Sequence, residues 1–185
     1  MDSLQTLNYM NKHKSGHKWK NLFLSTVVMP SNLSEIKPIA EFCKIEGISV
    51  SYQLMDNGDA FSTAVDDNKQ IYGKDSKTAA LEAIDEMIEL KKQGYPICNG
   101  FSQLNAFKLL INTPEKIQDI QCLVGENNFA IDPYGNCRIC FCMEPLGNLK
   151  DSLPQDLWYS KKADEVREEI LKCTMKCRLL NCNFK

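Results

Sequence analysis

The first half of the chain switches between two apolar periods. Residues 3–14 place Leu4, Leu7 and Met10 at helical spacing, which predicts a weakly amphipathic helix. Residues 21–29, NLFLSTVVM, form a nearly unbroken apolar run rich in β-branched side chains, as expected of a strand covered on both faces. Pro30-Ser31-Asn32 ends it. A helix is predicted next, with Asn32 or Ser34 as its N-cap, Ile36, Ile39, Ala40 and Cys43 on one face, and Gly47 as its stop. Residues 48–54, ISVSYQL, alternate so that Ile48, Val50, Tyr52 and Leu54 share one face of a second strand. A mostly polar stretch, residues 55–76, reads as a long loop. The helix at 77–93 is the clearest in the chain, with Ala80, Leu81, Ile84, Met87 and Ile88 on one face and Gly94 and Pro96 stopping it. Strand, helix, strand and helix joined by short turns predict βα units on a parallel sheet, hence an α/β fold. A closed eight-stranded barrel takes about 250 residues, so this stretch can supply only part of one.

The pattern changes after residue 95. A short connecting helix is expected at 101–111, then a hairpin from Asn128 to Phe141 with Asp132-Pro133-Tyr134-Gly135-Asn136 as its turn. Pro145-Leu146-Gly147-Asn148 reads as a further turn. One helix is expected over 154–172, with Leu157, Trp158, Ala163, Val166 and Ile170 inward. The final segment, from Cys173, has little periodicity and needs a tie to be ordered.

Composition narrows the function classes. The chain has 185 residues and a formal net charge of −2, which gives no field for nucleic acid. The local run of Lys12, Lys14, Lys18 and Lys20 with His13 and His17 reads as a solvated loop. Asp56, Asp59, Asp66 and Asp67 read as solvated too. No apolar stretch approaches the roughly 18 residues of a membrane span. The opening residues MDSLQTLNYM lack the pattern of a signal peptide. A cytoplasmic location is therefore expected, where thiols stay reduced.

Nine cysteines in that setting argue for metal ligation over disulfides. Twelve residues separate Cys122 from Gly135 and four separate Gly135 from Cys140; Cys173, Cys177 and Cys182 close the chain. Cys122 precedes the hairpin and Cys140 is expected on its second strand, so both can converge at its open end. With the tail cysteines they make five candidates for four ligand positions: Cys122, Cys140, Cys173, Cys177 and Cys182. Thiolates suit Zn²⁺ or iron–sulfur clusters. The alternative for each is a small buried hydrophobe, and that is the reading for Cys43 and Cys98. Strand alternation puts Arg138, Cys140 and Cys142 on one face and Cys137 on the other, leaving Cys137 to packing and Cys142 as a reserve ligand or supporting thiol. Trp158 and Tyr159 read as helix packing.

These motifs together resemble a known family. Cys122-x12-Gly135-x4-Cys140, Pro145-Leu146-Gly147-Asn148-Leu149, Leu157-Trp158-Tyr159-Ser160, Arg167 and Cys173-x3-Cys177-x4-Cys182 are similar to the C-terminal auxiliary-cluster region, SPASM or the shorter twitch type, of radical SAM enzymes. TVVMPSNLSEI and GISVSYQLM more weakly resemble the later βα units of the radical SAM partial barrel. The resemblance implies two parts. Residues 1–95 would be a partial (β/α) barrel fragment of two βα units. Residues 96–185 would be a small α+β hairpin-helix domain, rich in cysteine and binding an auxiliary [4Fe-4S] cluster for electron transfer or for engaging a substrate, which in such enzymes is often a peptide.

Two features depart from the family pattern. The Cys-x3-Cys-x2-Cys motif that holds the S-adenosylmethionine-cleaving cluster is absent from this sequence. S-adenosylmethionine would thus be a cofactor only if a partner chain completed the N-terminal half-barrel. The closing cysteines are also fewer than in full SPASM domains, favouring one auxiliary cluster over two. A non-enzymatic iron–sulfur module and a structural Zn²⁺ protein are the alternative readings.

Overall fold

The computed structural model describes residues 5, 6, 9, 23–55, 74–174, 183 and 184. Most of the helix expected at 3–14, most of the polar stretch at 55–76, and both Cys177 and Cys182 lie outside the described residues. The chain forms two compact units that meet in sequence at Pro114 and Glu115. The 95/96 boundary expected from the sequence falls inside the first unit, because the helix that follows it packs there.

In the first unit, β1 (Phe23–Val28) pairs in parallel with β2 (Ser49–Leu54), Phe23 opposite Ser49 and Val28 opposite Leu54. Between them, α1 (Ile36–Glu46) buries Ile36, Ala40 and Cys43, as its periodicity predicts, and ends at Gly47 with φ 67°. That left-handed stop is the conformation glycine adopts without strain. Asn32 does not cap α1. It turns back on the strand end, accepting from the Met29 amide at 2.8 Å and donating to the Val27 carbonyl at 2.8 Å. A 3-10 turn, Pro30–Glu35, separates it from the helix. The next helix, α2, spans Lys74–Lys92, starting earlier than 77 because three polar residues extend its first turn. It buries Ala80, Ala83, Ile84, Met87 and Leu90.

β1 is covered on one face, not two. Phe23 is 53% exposed and Val27 46%, while Val28 on the other face is buried. The helices' apolar stripes fill only the side that β2 presents through Val50, Tyr52 and Leu54. The far edge of β2 gains a third parallel contact at Ile97. There Val50 donates to the Pro96 carbonyl at 2.9 Å, and Cys98 donates to the Val50 carbonyl at 2.8 Å. Two positions on, a side chain completes the edge. Buried Asn99 accepts from the Tyr52 amide at 2.7 Å and donates to the Tyr52 carbonyl at 2.8 Å and to Gln103 Oε1 at 2.9 Å. α3 (Phe101–Asn112) follows and buries Leu104, Phe107 and Ile111. No barrel is closed among the described residues.

The second unit holds a three-stranded antiparallel sheet of very short strands, β3 (Ala130–Ile131), β4 (Asn136–Arg138) and β5 (Gly147–Asn148), in that order. A four-residue helix, α4 (Val124–Asn127), precedes it. The sequence reading places a turn at 145–148; its last two residues instead pair with β4, Asn148 opposite Asn136 and Gly147 opposite Cys137. The single helix expected over 154–172 is two, α5 (Pro154–Trp158) and α6 (Lys161–Leu171). Ser160 is the reason for the break: extended at ψ 155°, it caps α6 by accepting from the Ala163 amide at 3.1 Å. Tyr159, at the break, is 79% exposed and so does not pack as the sequence reading has it. Val124, Ile139, Leu146, Leu157, Ala163, Val166 and Ile170 form the core, with Trp158 packed against it. No helix of the described residues is long and apolar enough to cross a membrane.

Two stability predictions follow from these ties. Asn99→Ala strands a buried amide, a carbonyl and the Gln103 acceptor, so the first unit loses at least about 2 kcal/mol in urea titration. Ser160→Ala removes the cap of α6 and costs the second unit about 1 kcal/mol by the same measurement.

Candidate metal centre

The hairpin turn is built on Asp132. Its carboxylate accepts from the amides of Tyr134 and Asn136, both at 2.9 Å, and from the Asn136 side chain at 2.8 Å. These donors, the Asn136 side chain foremost, hold its carboxyl below the usual carboxylate range. The turn's stabilisation is therefore full above about pH 4 and is lost as pH falls through the lowered value. Gly135, at φ 87°, supplies the left-handed residue the turn requires. Asn148 fastens the next strand across it, donating to the Tyr134 carbonyl and to Asn136 Oδ1, each at 3.0 Å. A Cβ at Gly147 would stand 2.7 Å from Leu157 Cδ2, so a larger residue there would push the buried Leu157 side chain aside.

This framework sorts the cysteines. Cys137 on β4 is fully buried in the core, and burial, with the nearby Asp132 carboxylate adding to it, pushes its thiol up toward the neutral form. It packs, as expected. Cys140 is not on the second strand, because β4 ends at Arg138. The strand is cut short by two side chains: Asn128 donates to the Ile139 carbonyl at 2.5 Å, and Arg138 reaches forward to the Met143 carbonyl at 2.7 Å. Strand alternation therefore stops before Cys140 and Cys142. Cys140 instead opens a turn, in which its carbonyl accepts from the Met143 amide at 3.2 Å and its Sγ accepts from the Cys142 amide at 3.4 Å. An amide aimed at sulfur is the contact a metal-bound thiolate accepts, and such contacts tune iron–sulfur sites.

Cys140 belongs to the core of this unit, and half-buried Cys122 and Cys142 pack against it. Cys173 lies just past α6, its amide donating to the carbonyl of core residue Ile170 at 3.1 Å. Two of the five candidate ligands, Cys122 and Cys140, are thus placed on one core, and Cys173 follows α6 in the chain; Cys177 and Cys182 lie outside the described residues. Among the described residues no three His, Cys, Asp or Glu side chains form a group that could hold a metal ion. The described thiols alone therefore do not close a site. Their chemistry fits a soft metal or an iron–sulfur cluster, and no imidazole or carboxylate competes within the set. In the first unit, Cys43 is buried as expected and its thiol is pushed up by that burial, with Cys98 adding to it; Cys98 itself is exposed, contrary to its reading as a packing residue, because its backbone sits at the sheet edge beside Val50.

Two supports were not legible from spacing. Arg167 donates from Nε to the Gly125 carbonyl at 3.2 Å and from a terminal nitrogen to the Trp158 carbonyl at 2.8 Å, with its guanidinium 4.6 Å from the Trp158 ring centroid. Trp158 meets Phe129 edge-on at 5.9 Å. One side chain thereby joins α4, α5 and α6. The other support is Asn183, buried, which bonds the backbone on both sides of Cys122. An asparagine in an aperiodic tail carries no sequence signal for that role.

Gly147→Ala drives a methyl group into Leu157 and should destabilise the second unit by about 1–3 kcal/mol, read from its denaturation midpoint.

No curated protein and no solved structure matches this chain. Residues 122–183 match the SPASM family model, described as an iron–sulfur cluster-binding domain, and the match runs from Cys122 through all five candidate ligands to Asn183. The chain thus carries a SPASM iron–sulfur cluster-binding domain at residues 122–183.

Proposed function

We propose that the second unit binds one auxiliary [4Fe-4S] cluster through four of Cys122, Cys140, Cys173, Cys177 and Cys182. The chain would serve as the C-terminal part or subunit of a radical SAM enzyme of the SPASM type. The single observation that carries this reading is the match over 122–183, which encloses the whole candidate set. The placement of Cys140 supports it: a sulfur at the core's edge, in a tight turn, already receiving an amide. A bound cluster would supply one-electron transfer at this unit. The protein's own part is to hold the thiols at fixed positions on a small core, by the hairpin on one side and the end of α6 on the other.

In this proposal the first unit is part of a (β/α) barrel. Its parallel β1–β2 pair, extended at Ile97, and the alternating helices are consistent with that role. The proposed partner is a chain bearing the Cys-x3-Cys-x2-Cys motif, and the proposed substrate class is a peptide. This chain has no such motif and is not expected to cleave S-adenosylmethionine by itself.

Protein purified without oxygen should contain about four iron and four sulfide per chain, with a brown colour. Cys140→Ser should remove most of that iron, whereas Cys43→Ser and Cys98→Ser should leave it in place. Stoichiometric zinc without sulfide would sink the cluster reading in favour of a structural zinc site. A folded chain with no metal would sink both.

A further inference from the structure

Resting on the iron–sulfur reading above, we propose that Asn183 is a positioning residue, which fixes the backbone on either side of the candidate ligand Cys122. Asn183 is 3% exposed. Its Oδ1 accepts from the Leu123 amide at 2.6 Å, and its Nδ2 donates to the Gln121 carbonyl at 3.2 Å. The two bonds therefore grip the backbone immediately before and immediately after Cys122. They join segments 60 and 62 residues apart in the chain. Asn183 directly follows Cys182 in the sequence.

The residue type matters here. A half-buried aromatic, Phe184, is next in the chain and would be enough to lay the tail on an apolar surface. Apolar contact is non-directional and tolerates sliding. An amide side chain offers a donor and an acceptor in fixed relation, so it matches one N–H and one C=O and no shifted alternative. Burying such a group costs free energy unless both bonds are made. Cluster ligands need their sulfurs placed within about 0.2 Å, and groups that orient ligands typically change metal affinity by 10–100-fold when removed.

The test uses the full chain, reconstituted anaerobically with iron and sulfide. Wild type, Asn183→Ala, Asn183→Asp and Ser160→Ala are compared by the rate of iron release to a chelator and by the electron paramagnetic resonance spectrum of the reduced cluster. Asn183→Ala should release iron about tenfold faster, with shifted g-values. Asn183→Asp keeps an acceptor for Leu123 but loses the donor to Gln121, and should fall between; it carries the test if the alanine variant does not fold. Ser160→Ala weakens the same unit at a helix cap and should keep the wild-type spectrum. Wild-type release and g-values in both Asn183 variants would overturn the inference while leaving the cluster reading intact. Equal effects from Ser160→Ala would also overturn it, since stability alone would then explain the loss. A wild-type chain that takes up no iron and sulfide would bring down the cluster reading and this inference with it.

Discussion

A buried peptide group must find a hydrogen-bond partner, and among the described residues few lie in strands that could provide one. The sheet of the first unit has two full strands; the three strands of the second have two, three and two residues. Asparagine side chains make up the shortfall. Asn32 closes the end of β1, Asn99 completes the far edge of β2 against Tyr52, Asn128 takes the Ile139 carbonyl, and Asn183 grips both sides of Cys122. Each amide carries the same donor and acceptor as a peptide unit. It can replace one rung of a ladder where no strand is available, and it does so in one register only.

The second unit shows why such ties matter. Its core is drawn from one hairpin-based sheet and three short helices, and domains this small bury little apolar surface for the entropy they surrender. Arg167 answers part of that need by bonding two carbonyls on different helices while lying over Trp158. A lysine could not reach both, having a point charge where arginine has a planar fork. The rest would fall to thiolate ligation, which couples binding free energy to folding.

Local features were readable in the sequence. Gly47 ends α1 where the apolar period breaks; Asp132 to Asn136 makes the hairpin turn; the stripe from Ala80 to Met87 is inward. All three follow from backbone preference or from a period within a single element. What was not readable depends on neighbours remote in sequence. The apolar run at 23–28 resembles a doubly covered strand, yet only its partners decide that Phe23 and Val27 face outward. Ile97 pairs with Val50 across forty-seven positions, and a lone bridging residue has no period to detect. Cys140 was assigned to a strand because alternation was continued past Arg138; the side chains that end β4 act across the turn and leave no trace in the alternation itself. The candidate cysteines stand out by spacing, whereas Asn183, which bonds the backbone around Cys122, does not.

Nine cysteines in one chain pose a selection problem, and environment resolves much of it. Cys137 and Cys140 are separated by only two residues, yet one lies in the pleat of β4 facing the core and the other opens a turn. Cys137 fills the core, and burial, with the Asp132 carboxylate adding to it, pushes its thiol up. Cys43 is likewise buried in the first unit. Cys140 instead receives an amide at its sulfur, and the residue providing that amide is itself a cysteine, Cys142. Cys142 thus supports the Cys140 sulfur through its main chain, whatever its own thiol does. Spacing alone proposes many ligand sets; among the described thiols, burial in a strand or helix sets Cys137 and Cys43 apart from Cys140 in its turn.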